Sequence, residues 1–401
     1  MNRRHFLLAG ASAPLALAAT RKRVAALVST YHVRSHADNI VTRILEGHWI
    51  GPKYYPPSLD LVALHMDQVH PADIGVRLAG AYGFPVLPSI PEALSRPLDG
   101  VVIVVEHGNY PTNEKDQQLY PRFEFFEAVV KHFRKTGRAT PVFVDKHLSY
   151  DWKKARQMYD WSRELRFPLM AGSSLPVTFR RPDLDFPLGV EFSDALMIGG
   201  GWVGDGGIFH DLETLQVFVE RRKGGETGVR AVQQLAGDAV WKAAEQGLWP
   251  KKLMPVALAR AAKPVKGRPE DVTNPAVCLI EYNDGFRAAV LKLGGMVGDY
   301  LIALQRKGRT EPDSANCYIP TENSNNFSML VHGMTGMFET GTTPYPIERT
   351  LLTTGTLSFL MESAYRGHRR IETPMLNIAY RAPAKSYYAP GEGSQENGTH
   401  D

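Results

Sequence analysis

The chain has 401 residues, 43% hydrophobic and 22% charged, with 46 Lys and Arg against 42 Asp and Glu. That length exceeds what one core usually organises, so two domains are expected, and the composition excludes a disordered or fibrous chain. Two cysteines exclude a disulfide framework or a four-cysteine zinc site, and a net charge of +4 with no basic stripe argues against a nucleic-acid partner.

The chain opens MNRRHFLLAGASAPLALAAT, with Arg3-Arg4 before an apolar stretch from Phe6 to Leu17 and a small-x-small site at Ala16-Leu17-Ala18. Residues 1–18 resemble a twin-arginine export signal, a receptor-read address. The expected partner is that export machinery and the expected location periplasmic or otherwise exported. The stretch is too short for a comfortable permanent membrane span, and no second one follows.

From Arg23 onward short apolar runs alternate with helical patterns. Residues 24–30, 61–67, 101–107 and 141–147 are continuously apolar and rich in β-branched residues, as for strands buried on both faces of a parallel sheet. A shorter strand is predicted at 84–87. Phe126, Val129, Val130 and Phe133 share a helical face that ends at Gly137, and Ala155, Met158, Tyr159 and Leu165 mark the next helix. This alternation predicts a doubly wound, Rossmann-type α/β domain over residues 22–148.

Residues 149–383 read as an α+β domain with an open, mainly antiparallel sheet. Strands are predicted at 188–198, 276–282 and 287–293, with Asn283-Asp284-Gly285 as a hairpin turn. Helices are predicted at 238–246 and 347–365, with a basic, Ala/Pro-rich connector at 251–267. The sheet is a candidate surface for homo-oligomerisation, and residues 384–401, rich in Gly, Ser and Asn, are predicted to be disordered.

In an open α/β sheet, ligands bind beyond the carboxyl ends of the strands. Here those ends carry His32 and His36, then His65, Asp67 and His70, then Glu106 and His107, then Asp145, Lys146 and His147. Six of the 13 histidines are thereby expected to rim one crevice. In one reading these groups hydrogen-bond a polyhydroxylated substrate and a dinucleotide, with one acting as acid or base. In another, His32, His36, His65, His107 and His147 hold a divalent metal such as zinc or manganese. In the plainest, they are surface or core histidines.

The order of these segments is similar to the Gfo/Idh/MocA (glucose–fructose oxidoreductase) family from Arg23 to about Arg381. The stretches AGAYGFPVLPSIPEAL and LDGVVIVVEH resemble its nucleotide domain, and GGIFHDLETLQVFVERRKGGETG resembles its catalytic-histidine segment. The resemblance implies NAD or NADP as cofactor and a sugar or sugar derivative as substrate. It places Lys146 at the family's motif lysine, beside Asp145, and His210 at the catalytic histidine. Thr30, Arg34, Ser35, Asp67 and Glu106 are the positions it brings toward the cofactor.

The chain departs from the family where the first strand ends. Residues 29–36, STYHVRSH, contain no glycine, whereas a G-x-G-x-x-G turn lets backbone amides approach a pyrophosphate. His147 replaces a proline, and Gly206 stands where the family has an acid four residues before the histidine. The leading expectation is an exported NAD(P)-dependent oxidoreductase acting on a sugar. The alternatives are a metal-dependent lyase or hydrolase on the same fold, and a non-catalytic sugar-binding protein.

Overall fold

A computed structural model describes residues 20–200, 203–320 and 324–391. The expected export signal lies outside these residues. β1 (Lys22–Val28) leads through a two-stranded ribbon, β2 (His48–Ile50) and β3 (Lys53–Tyr55), into β4 (Leu59–Met66). β5 (Gly100–Val104), β6 (Val142–Asp145) and β7 (Leu169–Gly172) complete a five-stranded parallel sheet in the order β4-β1-β5-β6-β7. The expected strand at 84–87 is reduced to a single parallel bridge between Leu64 and Val86 on the outer edge of β4. That bridge occupies the third-strand place of a Rossmann order.

Helices cover both faces of this sheet. α1 (Arg43–Glu46) and α2 (Gly75–Tyr82) are followed by α3 (Ile90–Leu94), α4 (Arg122–Thr136) and α5 (Trp152–Glu164). In α4 the predicted stripe of Phe126, Val129, Val130 and Phe133 is buried, and Gly137, at φ 69°, closes the helix. Asp151 caps α5 by accepting the Lys154 amide at 2.9 Å. β7 is only four residues long, too short for periodicity to reveal, and it carries the parallel unit past the boundary expected at residue 148.

The second sheet runs from β8 (Phe179–Arg181) and β9 (Phe192–Gly199) through β10 (Val229–Ala236), β11 (Ala276–Tyr282), β12 (Arg287–Lys292), β13 (Tyr300–Arg306) and β14 (Asp313–Tyr318) to β15 (Ile371–Glu372). Its order is β15-β10-β11-β12-β9-β13-β14-β8, antiparallel throughout except for β12 against β9. Residues alternate between two cores along each strand. Met197, Cys278, Ile280 and Val290 face α6 (Asp205–Val219) and α10 (Ile347–Tyr365), while Ile198, Val277, Leu279 and Leu291 face the other way.

The second face is not open. α7 (Asp238–Glu245) and α8 (Met254–Leu258) cover it with buried Val240, Trp249, Leu253 and Met254. The expected basic connector is thus half structure, and this face of the sheet is packed against the chain's own helices. α9 (Asn326–Thr340) crosses back to the first domain, where Leu330, Met334 and Phe338 pack with Val24, Val28 and Val102.

The tail is ordered further than expected. Ala389 donates its amide to Val177 at 2.8 Å, Tyr388 donates to Asp183 and Tyr387 to the Met329 carbonyl. These anchors hold the chain to Gly391, and residues 392–401 lie outside those described. Among the described residues, no helix is long and apolar enough to cross a membrane.

One buried ion pair ties α6 to α10. Arg349 donates twice to Glu220, at 2.9 and 2.6 Å, and both side chains are excluded from solvent. Removing one partner strands the other's charge in the core. Arg349→Met is expected to lower unfolding stability by about 3 kcal/mol or more, read from the urea midpoint. Adding Glu220→Leu should restore part of that loss, and no loss in the single variant would contradict the pair's role.

Candidate active site

The carboxyl ends of β5, β6 and β7 bring together the groups that the sequence places at 106, 145 and 146. Lys146 sits just past β6 with φ 69°, a backbone state rare for a side chain other than glycine, and donates its amide to Gly172 at 3.1 Å. That turn aims its side chain across the crevice. Lys146 Nζ lies 2.7 Å from His210 Nε2, on α6, and 3.5 Å from Glu106 Oε1. Glu106 is also ion-paired to the fully buried Arg122, whose other nitrogen donates to His147 Nε2 at 3.1 Å.

The protonation pattern follows from donor counting. An ammonium has hydrogens and no lone pair, so Lys146 donates to His210 Nε2. The His210 proton is therefore on Nδ1, which donates to Ser173 Oγ at 2.6 Å. Ser173 is held in turn by donating its backbone N–H to the Glu213 carboxylate, one turn further along α6, at 3.2 Å. Asp205 and Asp211, on the same helix as His210, play other parts. Asp205 accepts the Gln118 amide, and Asp211 pairs with the buried Lys292 at 2.6 Å.

Desolvation opposes ionisation of Glu106, but Lys146 and Arg122 outweigh it and hold the carboxyl well below the usual range. Desolvation, then the neighbouring Lys146 cation, holds His210 well below its ordinary value. His147 is held down by burial and then by Arg122. Both imidazoles are neutral at pH 7. The arrangement is one anion neutralised by two cations, with a neutral imidazole lone pair facing the nearer cation. It can accept, hold or return a proton at His210 Nε2.

The histidine cluster divides. His32 stacks on His70, with ring centres 4.2 Å apart, and lies 5.6 Å from His107; His36 is 5.4 Å from His107. His65 instead donates Nδ1–H to the Leu87 carbonyl at 3.0 Å and faces Phe125, and His147 is buried against Arg122. The five residues expected to ligate a metal therefore do not meet at one point. Among the described residues, no three His, Cys, Asp or Glu side chains are placed to hold a metal ion. The reason is side-chain direction: neighbouring strand ends aim alternate residues to different sides of the sheet.

The two ends of the crevice differ in what they offer a dinucleotide. At the inner end, Thr30 Oγ1 and His107 Nε2 are buried without a partner, and His107 feels the charges of Glu106 and Lys146. Unpartnered buried polar atoms are rare in finished cores and suit a polar ligand. At the outer end, Ser35 Oγ accepts the His32 and Asp38 amides at 3.2 Å, and Asp38 accepts the Arg34 amide at 2.8 Å. This side-chain cap uses amides that a pyrophosphate would take and adds a carboxylate there. Tyr31 is fully buried, bonded to Thr42, and Asp67 is engaged by the Tyr110 hydroxyl at 2.6 Å. The residues present fit the nicotinamide end of a cofactor better than its phosphates.

Three residues of the network, Arg122, Ser173 and Glu213, escaped the sequence reading. Arg122 reads as an ordinary first residue of α4, and Ser173 follows the unrecognised strand β7. The one available signal for Arg122 was a cation opening a helix, where the dipole disfavours it.

No family model and no curated protein matches this sequence. Solved structures do match. GenD2 from gentamicin A biosynthesis, in complex with NAD, is 14% identical over 88% of this chain and 97% of its own, with a TM-score of 0.54. Myo-inositol 2-dehydrogenase from Lactobacillus plantarum is 11% identical over 88% and 99%, with a TM-score of 0.54. Scyllo-inositol dehydrogenase from Lactobacillus casei is 10% identical over 88% and 98%, with a TM-score of 0.55. The chain has the two-domain fold of these proteins, and the resemblance to Gfo/Idh/MocA proteins is borne out at the level of fold.

The neutral imidazoles make stability depend on pH with a definite sign. His147 and His210 have folded values below the ordinary 6.5, so below that pH the unfolded chain binds protons the folded chain refuses. Their contribution is complete above about pH 6.5 and is lost progressively as pH falls from there into the mildly acidic range. Thermal unfolding across that range should show a falling Tm, with a shallower fall for His147→Gln. Parallel slopes would contradict a buried neutral His147.

Proposed function

We propose that this chain is an exported oxidoreductase of the Gfo/Idh/MocA type, acting on a sugar or polyol through the Lys146–His210 pair. The observation that carries the reading is the 2.7 Å contact between Lys146 Nζ and His210 Nε2 at the carboxyl edge of the parallel sheet. Ligands of this architecture bind at that edge. Support also comes from proteins that share the fold, among them a myo-inositol 2-dehydrogenase and GenD2 in complex with NAD. The export element rests on the twin-arginine-like leader alone.

A substrate hydroxyl entering between the two side chains gives its proton to the His210 lone pair, while the Lys146 ammonium hydrogen-bonds the oxygen as negative charge develops there. Glu106 keeps that ammonium in place, and Ser173 keeps the His210 lone pair turned toward the crevice. NAD or NADP, when bound, supplies hydride acceptance. Thr30, Glu106 and His107 are the groups available to its nicotinamide end, and Arg34, exposed at the turn, is the cation available to its phosphates. Among the described residues, no converging ligand set supports the metal-dependent alternative.

The test is turnover of inositols and hexoses with NAD or NADP, followed by reduced-nicotinamide absorbance, together with calorimetric cofactor binding. Lys146→Ala and His210→Asn are each expected to lower kcat by about 100-fold or more while the protein stays folded. Unchanged turnover in both variants, or no binding of either cofactor, would overturn the reading.

A further inference from the structure

A second acid–base pair stands in the same crevice. His36, in the turn that replaces the glycine-rich loop, lies with Nδ1 2.6 Å from Asp145 Oδ2. Asp145 is 1% exposed, while the His36 side chain keeps 14% of its surface. A carboxylate only accepts, so Nδ1 carries a proton, and in the neutral ring Nε2 carries the lone pair. That lone pair bonds to none of the described residues, and it is not among the buried atoms lacking a partner. It therefore looks into the open part of the crevice.

We propose that His36, oriented by Asp145, is a second general base of this site, distinct from the Lys146–His210 pair. The inference rests on the reading of this crevice as the active site. The logic is that of an imidazole fixed in one tautomer by a buried carboxylate: the carboxylate sets the ring's orientation and stabilises the imidazolium formed when Nε2 takes a proton. Phe327 from α9 packs edge-on at 5.0 Å and His107 lies at 5.4 Å, so the ring is wedged. The groups whose charge reaches it are Asp145, Glu106, His107 and His210, with Lys146 beyond.

The arrangement also gives the missing glycines a physical explanation. A turn built of glycine has no side chain to offer the crevice, whereas this one delivers an imidazole to the β6 carboxylate. The base takes a proton from a hydroxyl or a water brought to it, and the proton returns from Nε2 when product leaves. With Lys146 and His210 serving another atom, one bound polyol can exchange protons at two positions.

The experiment uses the full-length protein with nitrogen-15-labelled histidine, and diethyl pyrocarbonate as the probe of free imidazole nitrogen. The wild type should show an Nδ1-protonated His36 with a strongly deshielded ring N–H signal, absent from His36→Gln. Asp145→Asn should remove the deshielding with the fold retained. Peptide mapping should find His36 acylated several-fold faster than the buried His147. An Nε2-protonated His36, a signal indifferent to Asp145→Asn, or a His36 as inert as His147 would overturn the proposal. None of these readouts requires turnover, so the dehydrogenase reading can fail on its own test while this one stands, and the reverse.

Discussion

The Glu106 carboxylate sits at the edge of the parallel sheet with little access to water, and alone it would be costly there. Lys146 on one side and Arg122 on the other make its charge tolerable, and the geometry of everything around it follows. Arg122, committed to Glu106, turns its other nitrogen to His147 and keeps that imidazole neutral. Lys146, committed to Glu106, presents its remaining hydrogens to His210. A change at Glu106 would thus be felt at two imidazoles it does not touch.

The same network joins the two domains. Glu106, Lys146 and His147 come from the first sheet, Ser173 from the loop leaving its last strand, and His210 and Glu213 from the first helix of the second domain. α9 then returns across the boundary to place Phe327 against His36. The crevice is therefore an interdomain feature, and its polar contacts are also structural bonds between the halves. Covering the second sheet with α7 and α8 makes the outer half self-contained, since the alternating apolar residues of β9, β11 and β12 already have partners on both faces.

Much of this was legible in the residues. Continuous apolar runs gave the parallel strands, the stripe through Phe126 and Phe133 gave α4, and Asn283-Asp284-Gly285 gave the hairpin at Gly285 φ 83°. Lys146 and His210 were each singled out by the resemblance, and they lie 2.7 Å apart. The rest depended on quantities that sequence does not carry. β7 is shorter than any period. The direction of a side chain at a strand end depends on register, which is why His65 and His147 left the expected metal cluster. The anchoring of residues 384–391 rests on contacts with Asp183, Val177 and Met329, far away in the chain.

The central claim is that a neutral His210 faces the Lys146 ammonium with its Nε2 lone pair, ready to take a proton. Nitrogen-15 NMR of the His210 ring across neutral and mildly acidic pH tests it most directly. The account requires a ring that is still neutral, with its proton on Nδ1, at the pH where an ordinary histidine is half protonated. An imidazolium at neutral pH, or a proton resident on Nε2, would contradict it.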